Sequence, residues 1–458
     1  MLKYILSLLL LMPGLGCSGH DLETPGETPG KTPQEDSQTP PQEIYVSSAA
    51  DVKALGTLPA GSVVVWRNGL YSGEVVELKA AGTAEAPVVL RAESAGKVIF
   101  TGTSRISVSG SHASVEGFWW RNPEPVSGKA VVTMAKGSDA CALRDCAITG
   151  DNTVESKTVD TKWVSLYGTN HRVESCTLHD KRNIGTLLVV WLETGVVPAH
   201  TIAGNSFTRP VTLVDDAGKA INGQETIRIG TSDFSMQDAG CIVEDNYFYH
   251  CHGEQAEIVS NKSCRNIYRR NLFVESQGSL TLRHGNDCTV TGCYFIGNGL
   301  EGTGGVRIIG ENHTVESNWF ESLAGTGYRS AICIVRGQEN AALNGYWQVK
   351  NAVVRRNYVF DCKYGLNVNY ASSTSNQVLP VKSTVIENNT VSTTASSSYA
   401  VYLPDAPAEP EITWSNNTLY GRQRGITLPA AASAPARPDV KSAIESIRNA
   451  AGCSWITN

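Results

Sequence analysis

Lys262, Arg283 and Glu257 are the residues of this chain best placed to do chemistry. They lie in G-E-Q-A-E-I-V-S-N-K-S (253–263) and T-L-R-H-G (281–285). The lysine and the arginine occupy nearly the same place in two successive copies of a repeat, and the carboxylate lies just upstream of the lysine. A base, an acid and an anion- or metal-binding group on a rigid β scaffold have the means to remove a proton from a carbon next to a carboxylate. Such a proton is weakly acidic, so catalysis must stabilise a developing enolate-like dianion, which positioned cations or a metal do. A lysine base must be partly neutral, and nearby positive charge favours that by lowering its pKa.

The elements that must hold these residues follow from the repeat. Alternating apolar residues, two polar residues, then Asn or Cys and often an aromatic recur with Gly117, Cys146, Cys176, Asn205, Asn246, Asn271, Cys293, Asn318, Asn357, Asn389 and Asn417 at the marker position. The steps are 29, 30, 29, 41, 25, 22, 25, 39, 32 and 28 residues. Periods of this size signal a solenoid. The segments are short, β-branched and alternating, without a helical period. The fold expected is all-β: a single-domain parallel β-helix of about one coil per copy, coils about 4.8 Å apart. The repeated Asn is expected at an inward turn, bonded to its neighbours above and below. The long steps mark coils with insertions, which tend to build a binding face. Open ends need covers. Helices are expected over Ser47–Leu55 and Asp439–Ala451.

The repeat also fixes registers. Lys262 lies nine residues before Asn271, Arg283 ten before Cys293 and Arg307 eleven before Asn318. These spacings predict a ladder of three cations on successive coils, on one outward face. Like charges side by side are costly without an anionic partner, which points to a polyanion. Gln255 and Glu257 are two apart and should share a face, with a turn at Ser260-Asn261 resetting the direction of Lys262. Asn222 lies on the preceding coil.

The motifs E-I-V-S-N-K-S, L-R-H-G and G-G-V-R-I-I-G-E-N-H-T-V-E-S-N-W-F resemble polysaccharide lyase family 6, and the resemblance runs from Ile44 to Asn458. That family contains alginate lyases and a chondroitinase B acting on dermatan sulfate, all on right-handed parallel β-helices. The resemblance implies that Lys262 is the base that takes the C5 proton of a uronate and Arg283 the acid that protonates the departing O4. It implies that His284 supports the arginine or binds substrate, and that Asn222 and Glu257 ligate calcium. Gln255 departs from the family, which has Glu there. Calcium prefers several oxygen ligands with carboxylate charge, so a weakened or empty calcium site is expected, with Arg307 or Lys219 neutralising the substrate carboxylate instead. Glu254 is adjacent but should face the other way unless the strand bulges. Arg307, Arg329 and Tyr328 are expected to bind substrate. The motif G-T-G-Y-R-S-A-I is closer to the alginate branch, and mannuronate-rich blocks are the expected preference, although the sequence offers no mechanism for choosing them.

Composition and the N-terminal segment point to an exported protein. The 458 residues are 41% hydrophobic and 18% charged, with net charge −6. That excludes the basic footprint of a nucleic-acid binder but not a local basic groove. Lys3 precedes an apolar run too short to span a membrane, ending Gly14-Leu15-Gly16-Cys17. Residues 1–17 resemble a lipoprotein leader with Cys17 as lipid anchor, in the periplasm or outer membrane of a Gram-negative bacterium. Residues 18–43, rich in Pro, Thr, Gly and Glu, form an extended tether. No C-x-x-C pair appears, so zinc is not expected. The eleven later cysteines take the place of the repeated Asn in several copies and read as mostly free, buried core residues.

Other residues have plainer readings. Asp215-Asp216 resembles the paired acids of β-helical glycoside hydrolases, but neighbours on a strand face opposite ways. Cys251-His252 reads as a core cysteine beside a surface histidine, and Trp119-Trp120 as core aromatics. Lys181 and Arg182 are weaker candidates for binding substrate. The chain is read as a monomeric alginate lyase. The rivals are a dermatan sulfate lyase, a carboxylate-based hydrolase and a non-catalytic polysaccharide-binding solenoid.

Overall fold

The computed structural model describes residues 42–150, 155–372 and 376–456. The leader, Cys17 and almost all of the tether lie outside the described residues. The first strand, Glu43–Val46, begins one residue before the boundary expected for the folded body.

Every coil runs through three short strands, and each strand pairs in parallel with its equivalent one coil away. The result is three parallel sheets of 14, 13 and 14 strands. Strands Ile242–Glu244, Tyr247–Cys251 and Glu257–Lys262 make one coil, contributing to the first, second and third sheet in turn. This is a right-handed parallel β-helix, the hand that parallel crossovers take.

The corner between the first and second sheets is where the repeat acts. The residue before each marker is left-handed: Asp245 at φ 55°, Arg270 at 52°, Ser317 at 56° and Arg356 at 54°. That kink turns the next side chain inward. Asn205 Nδ2 donates to Asn246 Oδ1 at 2.9 Å, Asn246 to Asn271 at 3.0 Å, Asn318 to Asn357 at 3.0 Å and Asn357 to Asn389 at 2.9 Å. Each buried Asn also accepts a backbone N–H from the coil before, as when Cys293 donates to Asn318 at 2.9 Å. The expected ladder is present, and cysteine interrupts it as a smaller buried filler.

A second ladder, missed in the sequence, occupies the corner between the third and first sheets. It runs through Cys141, His171, His200, Cys241, Asn266, Cys288 and His313. Cys141 N donates to His171 Nδ1 at 3.0 Å, His171 N to His200 Nδ1 at 3.0 Å and Cys241 N to Asn266 Oδ1 at 2.9 Å. The preceding residues are again left-handed, among them Ala140, Asn170, Ala199 and Arg265.

Between the ladders the core is apolar. Phe207, Phe248, Phe273, Phe295 and Phe320 form a column with ring centroids 5.0, 4.4, 4.7 and 4.9 Å apart. All eleven described cysteines are buried and free, as expected, and burial pushes the Cys293 thiol up to about 12.

The helix Ala49–Ala54 covers the first coil, with Ser48 accepting from Asp51 N and Val52 buried in the core. The helix Lys441–Ala450 lies elsewhere than the open end. Its Ile444 and Ile447 pack on Tyr247, Leu272 and Val274, along the outer side of the second sheet. The tail continues to Trp455, whose ring packs on Trp119 at 5.8 Å between centroids, tilted by 55°. Trp120 is core, whereas Trp119 points outward beneath this tail.

The histidines of the second ladder accept N–H bonds on Nδ1 and are therefore neutral. Burial lowers His171 and His313 to about 4. An unfolded histidine titrates near ~6.5, so the unfolded chain binds more protons between those values. Stability is fully present above about 6.5 and falls as pH drops towards 4. Chemical denaturation across that window should show the decline, and His313→Asn, which keeps the acceptor, should flatten it. Asn318→Ala should cost about 1–3 kcal/mol by leaving buried N–H groups unpaired, with Asn318→Cys costing less.

Candidate active site

The third sheet carries the site on its outer face. Leu280, Leu282, Val306 and Ile308 point into the core, so Thr281 and Arg307 point outward. Two irregularities set the geometry. Pairing shifts between Glu257 and Val259, so Ile258 is an extra residue, and Glu257 and Lys262 both face out. The expected turn at Ser260-Asn261 is absent; both residues belong to the strand Glu257–Lys262. Pairing shifts again after Asn261: Lys262 pairs with His284 and Arg283 is the bulged residue.

The straight cation ladder is therefore corrected. Arg307 pairs with Thr281, and Thr281 with Ser260. The three cations lie on successive coils of one face but not at one register position. They are kept apart by a carboxylate. Arg307 Nη2 bonds Glu257 Oε1, Arg283 Nε lies 3.9 Å from the same oxygen, and Ser260 donates to Glu257 Oε2. Arg307 and Glu257 are 6% and 7% exposed, which makes this a buried ion pair.

The coil insertion between Asn318 and Asn357 closes over Arg283. Its guanidinium donates to Gly345 O at 2.9 Å and Asn344 O at 3.0 Å, and lies 4.3 Å from the Tyr346 ring centroid. Burial lowers the proton affinity of Arg283, against the pull of Tyr346 and Glu257. His284 Nδ1 sits 3.4 Å from Arg283 Nη1, and its Nε2 is 3.4 Å from Ser232 Oγ. Burial, then Arg283 and Lys262, push its pKa down to about 3, so its ring is neutral. Lys262 makes no ion pair among the described residues.

Tyr328 sits between Arg307 and Arg329, each 5.1 Å from its ring centroid. Arg329 is anchored by donating to Gln255 O at 3.2 Å. Glu257, Arg307, Tyr328, Tyr346 and Tyr370 line a cavity of about 290 Å³. The structure thus brings together Lys262, Arg283, His284, Arg307, Tyr328, Arg329 and Glu257.

Gln255 and Asn222 stand apart. Gln255 has φ 60° and its amide donates to Gln277 at 3.2 Å. The strand has not yet begun there, so alternation does not apply, and Glu254 approaches Glu257 instead. Gly253 makes this fit: a Cβ there would stand 2.3 Å from Gln224 O. Ligating oxygens of Glu225, Glu254 and Glu257 all lie within 4.8 Å of one another. Asn222 is exposed, although its neighbour Gly223 donates to Glu254 at 2.8 Å. Glu225, missed in the sequence, is buried with Oε2 unpaired. Desolvation, then Glu225 and Glu257, raise Glu254 to about 8. Three carboxylates this close together, one with an orphaned oxygen, fit a hard divalent cation.

Several plainer readings hold. Asp215 caps a turn by accepting from Ala217 and Lys219, and Lys219 is exposed there. Lys181, expected as a weaker candidate for binding substrate, is corrected: it is fully buried, donating to Asn183 O and Ile184 O, and cannot reach substrate.

The sequence model of chondroitinase B matches residues 46–417. The chain belongs to the chondroitinase B family. No curated protein matches it. Among solved structures it is similar to a mannuronic acid specific polysaccharide family 6 lyase from human gut microbiota, at 25% identity and TM-score 0.74, covering 90% of this chain and 96% of that one. It is similar to the PL6 family alginate lyase AlyGC at 28% identity and TM-score 0.79, covering 91% of this chain but 59% of AlyGC. It shares its fold with the PL6 lyase Pedsa3628 from Pseudopedobacter saltans, at 23% identity and TM-score 0.74, covering 90% and 100%. Membership makes this chain a polysaccharide lyase of family 6.

Removing one partner of a buried ion pair strands the other charge. Arg307→Ala should lower unfolding free energy by about 3–5 kcal/mol in urea titrations, and adding Glu257→Ala should restore part of the loss.

Proposed function

We propose that this protein cleaves alginate by β-elimination, leaving a 4,5-unsaturated uronate at the new non-reducing end. The observation that carries the reading is the pairing of Lys262 with His284 beside Arg283, on the same face as the Arg307–Tyr328 cavity. Lys262 takes the C5 proton. The electron pair forms the C4–C5 double bond as the C4–O4 bond breaks, and Arg283 donates a proton to the departing O4. Arg307 and Arg329 bind uronate carboxylates, and neutral His284 orients Arg283. Glu225, Glu254 and Glu257 would hold a divalent cation such as calcium, which when bound would supply positive charge next to the uronate carboxylate and so acidify the C5 proton. The charge that Gln255 lacks is available from Glu254, which argues against the weakened site expected earlier. A mannuronic acid specific polysaccharide family 6 lyase among the similar structures supports mannuronate-rich blocks as the preferred substrate. We further propose export and a lipid tether through Cys17, with the enzyme acting as a monomer.

Ultraviolet absorbance of the unsaturated product, followed on poly-mannuronate, poly-guluronate and dermatan sulfate, tests this. A rise on alginate that Lys262→Ala abolishes is expected. A rise on dermatan sulfate alone would move the substrate to the chondroitinase branch, and binding without any rise would favour a non-catalytic solenoid. Calcium should raise the thermal midpoint of the wild-type protein but not of Glu225→Gln, and EDTA should lower turnover.

A further inference from the structure

The outer face of the third sheet continues past the catalytic group towards the N-terminal coils. Leu166 pairs with Val190, Val190 with Ile229 and Ile229 with Asn261. The next residue on each strand is Tyr167, Trp191, Gly230 and Lys262. Ladder bonds continue through this row, with Trp191 N donating to Leu166 O and Gly230 N to Val190 O, each at 2.9 Å. Tyr167 and Trp191 therefore lie three and two coils from Lys262, about 14 and 10 Å away at the usual strand spacing.

The two rings stack, centroids 5.8 Å apart and 11° from parallel. Both are half-buried and line a groove of about 770 Å³. Gly230 leaves the row open between them and the lysine. It has φ 85°, and a Cβ there would meet Lys262 O at 2.5 Å.

The groove carries cations as well as rings. Arg105, Lys129 and Lys162 line it, with Glu77 and Asp160 as the acids, and Lys162 pairs with Asp160. Arg228 lies over the Trp191 ring at 5.3 Å, forms no ion pair among the described residues and has a buried, unpartnered Nε. Half-buried, stacked rings with a guanidinium over one of them that is held in no ion pair match a pyranose ring that bears a carboxylate. Neither the catalytic group nor the coil insertion requires these residues.

We propose that Tyr167, Trp191 and Arg228 form a remote subsite that holds uronate residues of the same chain, two to three coils from the bond that breaks. This rests on the polyuronate reading of the catalytic group. It makes affinity depend on chain length: short oligomers bind at the Arg307–Tyr328 cavity alone, and long ones reach the stacked rings.

Calorimetric binding of oligo-mannuronates of increasing length to Lys262→Ala protein, which is not expected to turn over, tests it. Adding Trp191→Ala should weaken long oligomers about tenfold and leave short ones within error. Arg228→Gln should also weaken long oligomers selectively and reduce the salt dependence of their binding. Trp191→Phe, which keeps an aromatic face, should restore most of the affinity and control for misfolding. Equal loss at all lengths, or no loss in either variant, would overturn the subsite. Unsaturated product formed by the unaltered protein scores the lyase reading separately. Binding that depends on length without turnover would reject that reading and keep the subsite.

Discussion

Everything in this protein depends on a left-handed residue placed before an inward polar side chain at the coil corners. The kink aims an Asn, His or Cys into the core, where it satisfies a backbone N–H of the neighbouring coil. Parallel strands this short, most of them three to seven residues, have few ladder bonds to define their register. The corner ladders define it, because a slip by one residue would expose the Asn and bury a charge. A fixed register stacks the phenylalanine column inside and aligns the outward residues of successive coils outside.

The site is where that regularity is broken. The bulge at Ile258 reverses the parity of its strand, and the bulge at Arg283 sets an arginine beside the Lys262–His284 pair. Without them Glu257 and Lys262 would face opposite sides. The bulges crowd positive groups onto one patch, and Glu257 separates them by bonding Arg307 and approaching Arg283. The carboxylate is itself the edge of a cluster with Glu225 and Glu254, so the site has a cationic half and an anionic half. Insertions at the two long steps complete it, one supplying Glu225 and Ser232, the other Tyr328, Arg329 and Tyr346.

The architecture was legible because a repeat converts local pattern into global structure. The marker Asn positions located one corner and, through it, every coil. The second corner was also written in the chain, as His, Cys or Asn five residues before the marker in N-H-R-V-E, G-C-I-V-E and N-H-T-V-E. Its varying residue type hides it from a pattern built on one marker residue. Counting back from the marker places Lys262, Arg283 and Arg307 on the right coils. It could not give register, since bulges add residues without a sequence signature. The same limit misplaced Gln255 and Glu254: alternation holds only inside a strand, and this strand starts at Glu257. Glu225 escaped because it enters from an insertion, where the repeat says nothing.

The proposed reaction breaks the polysaccharide by elimination rather than by hydrolysis. Mass spectrometry of the two fragments from a defined oligo-mannuronate tests it most directly. Elimination moves a proton from C5 to the departing oxygen and adds no water, so the fragment masses must sum to that of the parent. Fragments that sum to the parent plus one water would contradict the lyase and assign the cleavage to a hydrolase.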